Sequence, residues 1–179
     1  MSDQKGFVLW FTGLSGAGKT SIATPLSEQL KARGLKIERL DGDVVRQSLT
    51  RDLGFSKEDR DKNIERVTFV AKLLSRNEVG VLASFISPYR ETRAMIKSET
   101  TNFIEVFVHA PLEVCAERDV KGMYAKAFAG EIENFTGVSD PYEEPLNPDV
   151  LLNTHEETIE ESIAKCVAYL EENGYIPAS

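Results

Sequence analysis

One short pattern constrains this chain more than any other: Gly13-Leu14-Ser15-Gly16-Ala17-Gly18-Lys19-Thr20, which satisfies G-x-x-x-x-G-K-[ST] in full. Such a pattern carries meaning only where a strand enters it and a helix leaves it, and both flanks are present. Gly6 to Thr12 is a short apolar run with aromatic and β-branched members, which reads as a buried strand. From Lys19 to about Ala32, Ile22, Ala23, Leu26 and Leu30 recur at helical spacing, and Gly34 supplies a stop. Pro25 falls inside that stretch and should kink the helix or lie near its first turns. Glycines let the loop turn its N–H groups inward, and the helix N-terminus adds partial positive charge, so the loop is predicted to cradle a β-phosphate. Lys19 is then placed to reach the β- and γ-phosphates of ATP, and the Thr20 hydroxyl to ligate Mg2+.

The rest of the chain alternates in the same way. A second strand, Leu35 to Leu40, ends at Asp41-Gly42-Asp43; Val79 to Ile86, Phe103 to Val108 and Val150 to Asn153 read as three more. Ser56 looks like the cap of a helix carrying Ile64, Val67, Val70, Ala71 and Leu74 on one face. Pro88 to Ser98 reads as another helix, and Pro111 opens Leu112 to Arg118 from a first-turn position. Thr154-His155-Glu156-Glu157 has the pattern of a capping box for a last helix ending near Gly174. Strands alternating with helices imply a three-layer α/β sandwich around a mostly parallel, five-stranded sheet. With 179 residues, 41% of them hydrophobic, one domain spanning residues 1–179 is expected. The stretch from Asp119 to Pro148 breaks the rhythm: it is rich in Gly, Pro and charge, and reads as a lid.

Composition removes several function classes. A formal net charge of −8 argues against a nucleic-acid partner, although local Lys, Arg and N–H groups can still hold a small anion. No window is long and apolar enough for a membrane span, and the N-terminus lacks the pattern of a secretory signal. Cys115 and Cys166 lack metal-type spacing and read as small fillers in a reducing cytoplasm. His109 and His155 read as structural. No Asn-Lys-x-Asp guanine-reading motif is present. The strand from Val79 runs into Ser84-Phe85-Ile86-Ser87 rather than an aspartate, so Asp41 is the best substitute as second magnesium ligand. A short chain with a lid suits a small-metabolite kinase, because excluding water protects ATP from hydrolysis.

Four further segments line up with one family: Leu40-Asp41-Gly42-Asp43-Val44-Val45-Arg46, Asp52 to Asn63, Phe85-Ile86-Ser87-Pro88-Tyr89-Arg90, and the lid motifs Asp119 to Tyr124, Phe135-Thr136-Gly137 and Asp140-Pro141-Tyr142-Glu143. With the phosphate loop and Asn147-Pro148…Asn153-Thr154, they resemble adenylylsulfate (APS) kinases over almost the whole chain. The resemblance implies a P-loop kinase fold. It also implies transfer of the γ-phosphoryl of ATP to the 3′-hydroxyl of APS, giving 3′-phosphoadenylylsulfate (PAPS) in sulfate assimilation. By the same resemblance Arg46, Arg60 and Asn63 bind the phosphosulfate, Phe55 and Phe135 pack the adenine, and Ile86 and Ser87 line the acceptor site. Asp43 orients the acceptor hydroxyl and takes its proton, Asp41 holds the magnesium shell, Lys121 lies over the transferring phosphoryl, and Arg118 and Thr154 contact the ATP adenine. The family pattern marks Ser87 as a phosphoserine, whereas direct transfer needs only its binding role.

Plainer roles stay open: Arg46 and Arg60 as solvated charges, Asp41 or Asp43 as helix caps, Phe55 and Phe135 as core. Val44 and Val120 depart from the family pattern, which has Asn and Pro there. The family is typically homodimeric, and association with an ATP sulfurylase is a further partner to consider. Two other readings fit the loop: a kinase for a different acceptor, such as a nucleoside monophosphate or shikimate, and a nucleotide-binding regulator without chemistry.

Overall fold

A computed structural model describes residues 3–179. Five strands, β1 (Phe7–Thr12), β2 (Ile37–Asp41), β3 (Gly80–Ser84), β4 (Phe103–His109) and β5 (Val150–Asn153), form an all-parallel sheet of order β2-β3-β1-β4-β5. Among the described residues seven helices accompany it: α1 (Lys19–Ala32), α2 (Gly42–Gln47), α3 (Lys57–Ser75), α4 (Arg90–Glu99), α5 (Leu112–Arg118), α6 (Met123–Phe128) and α7 (Ile159–Glu172). Side chains alternate along β1 and sort the helices into two layers. Phe7, Leu9 and Phe11 pack with Leu26 of α1, Cys115 of α5, Tyr124 of α6 and Cys166 of α7. Val8 and Trp10 pack with Val45 of α2, Val67 of α3 and Ile96 of α4. Burial on both faces explains why β1 reads as an unbroken apolar run.

The sheet positions the site through its register. Asp41 lies beside Ser84 across β2 and β3, Phe11 beside Ser84 across β1 and β3, and Thr12 beside Phe107 across β1 and β4. The carboxyl ends of the strands therefore finish together around β1, where the crossovers to either side diverge and a ligand crevice forms.

Several local expectations shift. Helix α1 runs through Pro25, which lies on the exposed side and leaves the Ser21 carbonyl without its helical donor, also at an exposed position. Pro111 stands one residue before α5, as its N-cap. The cap of α7 is Thr158, whose side chain accepts from Glu161 N, and not Thr154. The chain turns first: the Glu157 carboxylate accepts from Asn153 N, while Asn153 O accepts from Glu156 N and Glu157 N. Thr154 is thereby released for another partner. Two short helices lay hidden in the sequence, α2 after Asp41 and α6 inside the lid, each too short to show a period of 3.6.

Leu82 is fully buried at the centre of the sheet, whereas Leu146 is 81% exposed. Leu82→Ala is expected to cost about 2–5 kcal/mol. Leu146→Ala should stay within about 0.5 kcal/mol. Urea unfolding midpoints of the two variants check this, and equal shifts would contradict the packing described.

Candidate active site

Between β1 and α1 the backbone turns at Gly16 (φ 79°) and Gly18 (φ 109°), left-handed conformations that favour glycine. Gly13 answers a different demand: a Cβ there would sit 2.3 Å from the Val108 carbonyl oxygen. The loop's carbonyls are then occupied one after another by side chains. Lys19 Nζ donates to Gly13 O (2.9 Å) and Leu14 O (2.8 Å). Tyr124 Oη donates to Ser15 O (2.6 Å), Arg118 to Gly16 O (3.0 Å) and Ala17 O (3.3 Å), and Thr154 Oγ1 to Ala17 O (2.5 Å). Ala17 N closes the turn onto Leu14 O (3.1 Å), and Ser15, Gly16, Gly18, Lys19 and Thr20 line the cleft. Helix α1 begins with no side-chain cap and no acid in its first turn, so its N-terminal amides and dipole are available to an anion.

Carboxylates stand beside this cradle. Asp41 ends β2, caps α2 by accepting from Asp43 N (3.0 Å), and accepts from Thr20 Oγ1 (2.9 Å), with Arg39 3.5 Å away. Asp41 is thus the cap of α2, and the same carboxylate meets the Thr20 hydroxyl. Asp43, in the first turn of α2, pairs with Lys121 of the lid at 2.7 Å. Both groups are at least half exposed, so this latch contributes at most about 1 kcal/mol and can open.

The acceptor side is cationic and aromatic. Arg46 donates to Gly54 O (2.9 Å) and lies over the Phe55 ring at 4.2 Å. Burial, and after it the nearby Arg60 charge, holds Arg46 below its ordinary pKa. Arg60 reaches the lid, donating to Thr136 Oγ1 and Asn134 O and lying 3.8 Å from Asp140. Asn63 is buried, and among the described residues its Oδ1, an acceptor, has no hydrogen-bond partner. Phe55 is exposed, whereas Phe135 is buried edge-on against Tyr124 at 5.0 Å. Ser87 is buried with φ 44°, a conformation that costs a non-glycine residue about 1–3 kcal/mol. Its Oγ accepts from Trp10 Nε1 (2.9 Å) and donates to Phe85 O (3.0 Å).

A single cleft of about 830 Å³ collects these groups. It is lined by Ser15, Gly16, Gly18, Lys19, Thr20, Asp41, Asp43, Arg46, Phe55, Arg60, Asn63, Ile86, Ser87, Arg118, Lys121, Phe135 and Thr154. Gly13, Leu14 and Ala17 lie off its wall. Tyr124 and Thr136 stand inside motifs that carry the family resemblance, but sequence reasoning assigns neither a role, because nothing in their spacing marks a partner in the loop or in α3. Among the described residues no group of three or more His, Cys, Asp or Glu could hold a metal, and no helix is long and apolar enough to cross a membrane.

Comparison with known proteins points one way. The model of the adenylylsulphate kinase family matches residues 5–153. A probable adenylyl-sulfate kinase of Pseudomonas aeruginosa is 76% identical over 163 residues, 91% of this chain and 76% of that protein. The adenylyl-sulfate kinase of Halothermothrix orenii is 63% identical over 176 residues, 98% of this chain and 95% of that protein. The structure of the Mycobacterium tuberculosis APS kinase in complex with AMPPNP and APS matches with a TM-score of 0.90 at 43% identity, covering 94% of this chain and 99% of that one.

Burial brings the Lys19 ammonium down to about 8 from an ordinary value of 10.5. Below pH 8 folded and unfolded chains both carry the proton. Between pH 8 and the unfolded value only the unfolded chain does, so stability rises with pH across that window. Relative to Lys19→Met, the wild type should therefore gain about 2 kcal/mol between pH 8 and pH 10. Urea unfolding of both proteins at several pH values measures it, and a flat difference would contradict the enclosed position of Lys19.

Proposed function

Because the chain belongs to the adenylylsulfate kinase family, we propose the following division of labour for the transfer of the γ-phosphoryl of ATP to the 3′-hydroxyl of APS, which yields PAPS and ADP. The amides of residues 13–20 and the N-terminus of α1 hold the β-phosphate of ATP. Lys19 exchanges the Gly13 and Leu14 carbonyls for the β- and γ-phosphate oxygens. Arg118 and Thr154 form the end of the cleft that takes the ATP adenine.

Thr20 and Asp41 suit Mg2+: a hydroxyl and a carboxylate whose oxygens already meet at 2.9 Å are hard donors, and phosphate oxygens and water complete such a shell. When bound, the ion neutralises charge on the β- and γ-phosphates.

At the acceptor end the Arg46 and Arg60 guanidiniums and the Asn63 Nδ2 donor hold the phosphosulfate of APS, while the fixed Phe135 ring and the exposed Phe55 ring enclose its adenine. The reaction is a single displacement. The 3′-oxygen of APS forms its bond to the γ-phosphorus as the bond from that phosphorus to the β-bridging oxygen breaks. ADP leaves with that electron pair, and the hydroxyl proton passes to the Asp43 carboxylate. Lys121, released from Asp43, follows the charge onto the transferring phosphoryl. Ser87 binds and shapes the acceptor site and does not carry the phosphoryl, because its Oγ is already engaged by Trp10 and Phe85 in a buried setting.

The observation that supports this reading is one cleft with two distinct cationic or N–H-rich ends, an uncapped phosphate loop at one and the Arg46 and Arg60 guanidiniums at the other. We also read the chain as a cytoplasmic homodimer. Its two cysteines are free and buried, as a reducing compartment permits. Leu49 and Phe69 are exposed apolar residues on neighbouring elements, linked by Arg66 donating to Leu49 O.

The test is ADP release from Mg-ATP with APS, AMP, shikimate or no acceptor. Only APS should sustain turnover, and Lys19→Ala should lower it by about 10³-fold or more. Turnover on AMP or shikimate alone would refute the acceptor assignment, and none on any acceptor would favour a nucleotide-binding role. Ser87→Ala should keep turnover within about tenfold of wild type. Complete loss would point to the covalent role.

A further inference from the structure

The acceptor loop and the far end of the lid are tied together by buried groups that the chemistry above does not use. Arg93, on α4, is 2% exposed and does not itself line the cleft. Its Nη1 donates to Ser87 O (2.6 Å), its Nη2 to Glu143 O (2.5 Å), and its Nε lies 3.3 Å from Glu105 Oε2. The same two chain segments meet again through Thr12. Its hydroxyl donates to Ile86 O (2.7 Å) and shares a hydrogen bond with Tyr142 Oη (2.8 Å). Glu143 N donates to Pro88 O (2.8 Å), and Arg90 N to Glu143 Oε1 (3.0 Å). One guanidinium thus bridges the left-handed Ser87 backbone to the root of the segment that carries Phe135, Thr136 and Asp140.

From this geometry we infer that Arg93 is a positioning residue for the acceptor, seconded by Tyr142: it locks the Ile86–Ser87 loop to the root of the lid, so that the acceptor pocket and the lid take up their places together. The bond pattern explains the residue type. A planar guanidinium places two Nη donors on carbonyls of two different segments while its charge faces the Glu105 carboxylate, whereas a lysine ammonium is a compact point charge without that fixed fork. The donor side should feel little, since the loop carbonyls are held by Lys19, Tyr124, Arg118 and Thr154 and by no part of this clamp. The inference rests on the acceptor being APS, as proposed above.

The chain contains a single tryptophan, Trp10, and its indole N–H donates to Ser87 Oγ, so its emission reports on the clamped loop. Wild type, Arg93→Lys and Tyr142→Phe full-length chains are compared by thermal melting, by KM and kcat for APS and ATP separately, and by Trp10 emission with and without APS. Arg93→Lys is expected to raise the KM for APS by about tenfold to a hundredfold while the KM for ATP stays within about threefold, because only the acceptor loop loses its anchor. Its Trp10 emission should shift without ligand. Tyr142→Phe should move the same quantities in the same direction by about twofold to fivefold.

Unchanged APS KM and unchanged emission in a folded Arg93→Lys would overturn the inference. So would a fall in kcat alone, with both KM values kept, since that is what a lost folded fraction does. If Arg93→Lys does not fold, Tyr142→Phe decides by the same criteria. A wild type without APS turnover would refute the acceptor assignment, and the emission of the two variants would still decide whether the clamp holds the loop.

Discussion

Five successive carbonyls, from Gly13 to Ala17, are each taken by a side chain, two by Lys19 of the loop motif and three by residues from elsewhere in the fold, and the rest of the site follows from that. With those oxygens occupied, a glycine-rich turn offers its remaining N–H groups to an anion. The donors arrive from separate parts of the chain: Lys19 from α1, Arg118 from α5, Tyr124 from α6 and Thr154 from the turn after β5. Each of those elements is held by the same sheet, so the fold's topology and the loop's chemistry are one arrangement. Lys19 satisfies two carbonyls of the loop, and burial holds its pKa at about 8. In the proposed reaction it exchanges them for phosphate oxygens.

The acceptor end shows how little a net charge of −8 decides locally. Burial, and after it the Arg60 charge, depresses the Arg46 pKa, and a dianionic ligand would relieve the repulsion between the two guanidiniums. Asp43 and Lys121 neutralise each other in an exposed pair whose small net energy lets both be redirected. Groups meant for transient charge are here held by transient partners, while the groups meant to stay put, such as Arg93 and Ser87, are buried.

Much of this was legible in the sequence because its signals are local. The strand, loop and helix around residues 7–32 follow from apolar runs and a fixed motif, and Ser56 was found as a cap because its partner Asp59 is three residues away. The resemblance supplied the roles of Arg46, Arg60 and Asn63, and all three line the cleft. What stayed hidden depends on partners distant in the chain. Tyr124 meets Ser15 across 109 residues and Thr12 meets Tyr142 across 130, and no periodicity encodes such pairs. Thr154 shows the converse error. Its T-x-x-E pattern is a sound cap signal, yet Thr158 has the same pattern one turn later, and the pull of the Ala17 carbonyl decides between them.

A cleft that holds donor and acceptor at once needs no relay for the phosphoryl group, and that is the claim most worth testing. The direct measurement is the stereochemical course at the γ-phosphorus, with ATP made chiral there by oxygen isotopes and the PAPS analysed for configuration. A single in-line displacement predicts inversion. Retention would contradict it, requiring two successive transfers and an enzyme-bound phosphoryl group, with Ser87 the first residue to test as its carrier.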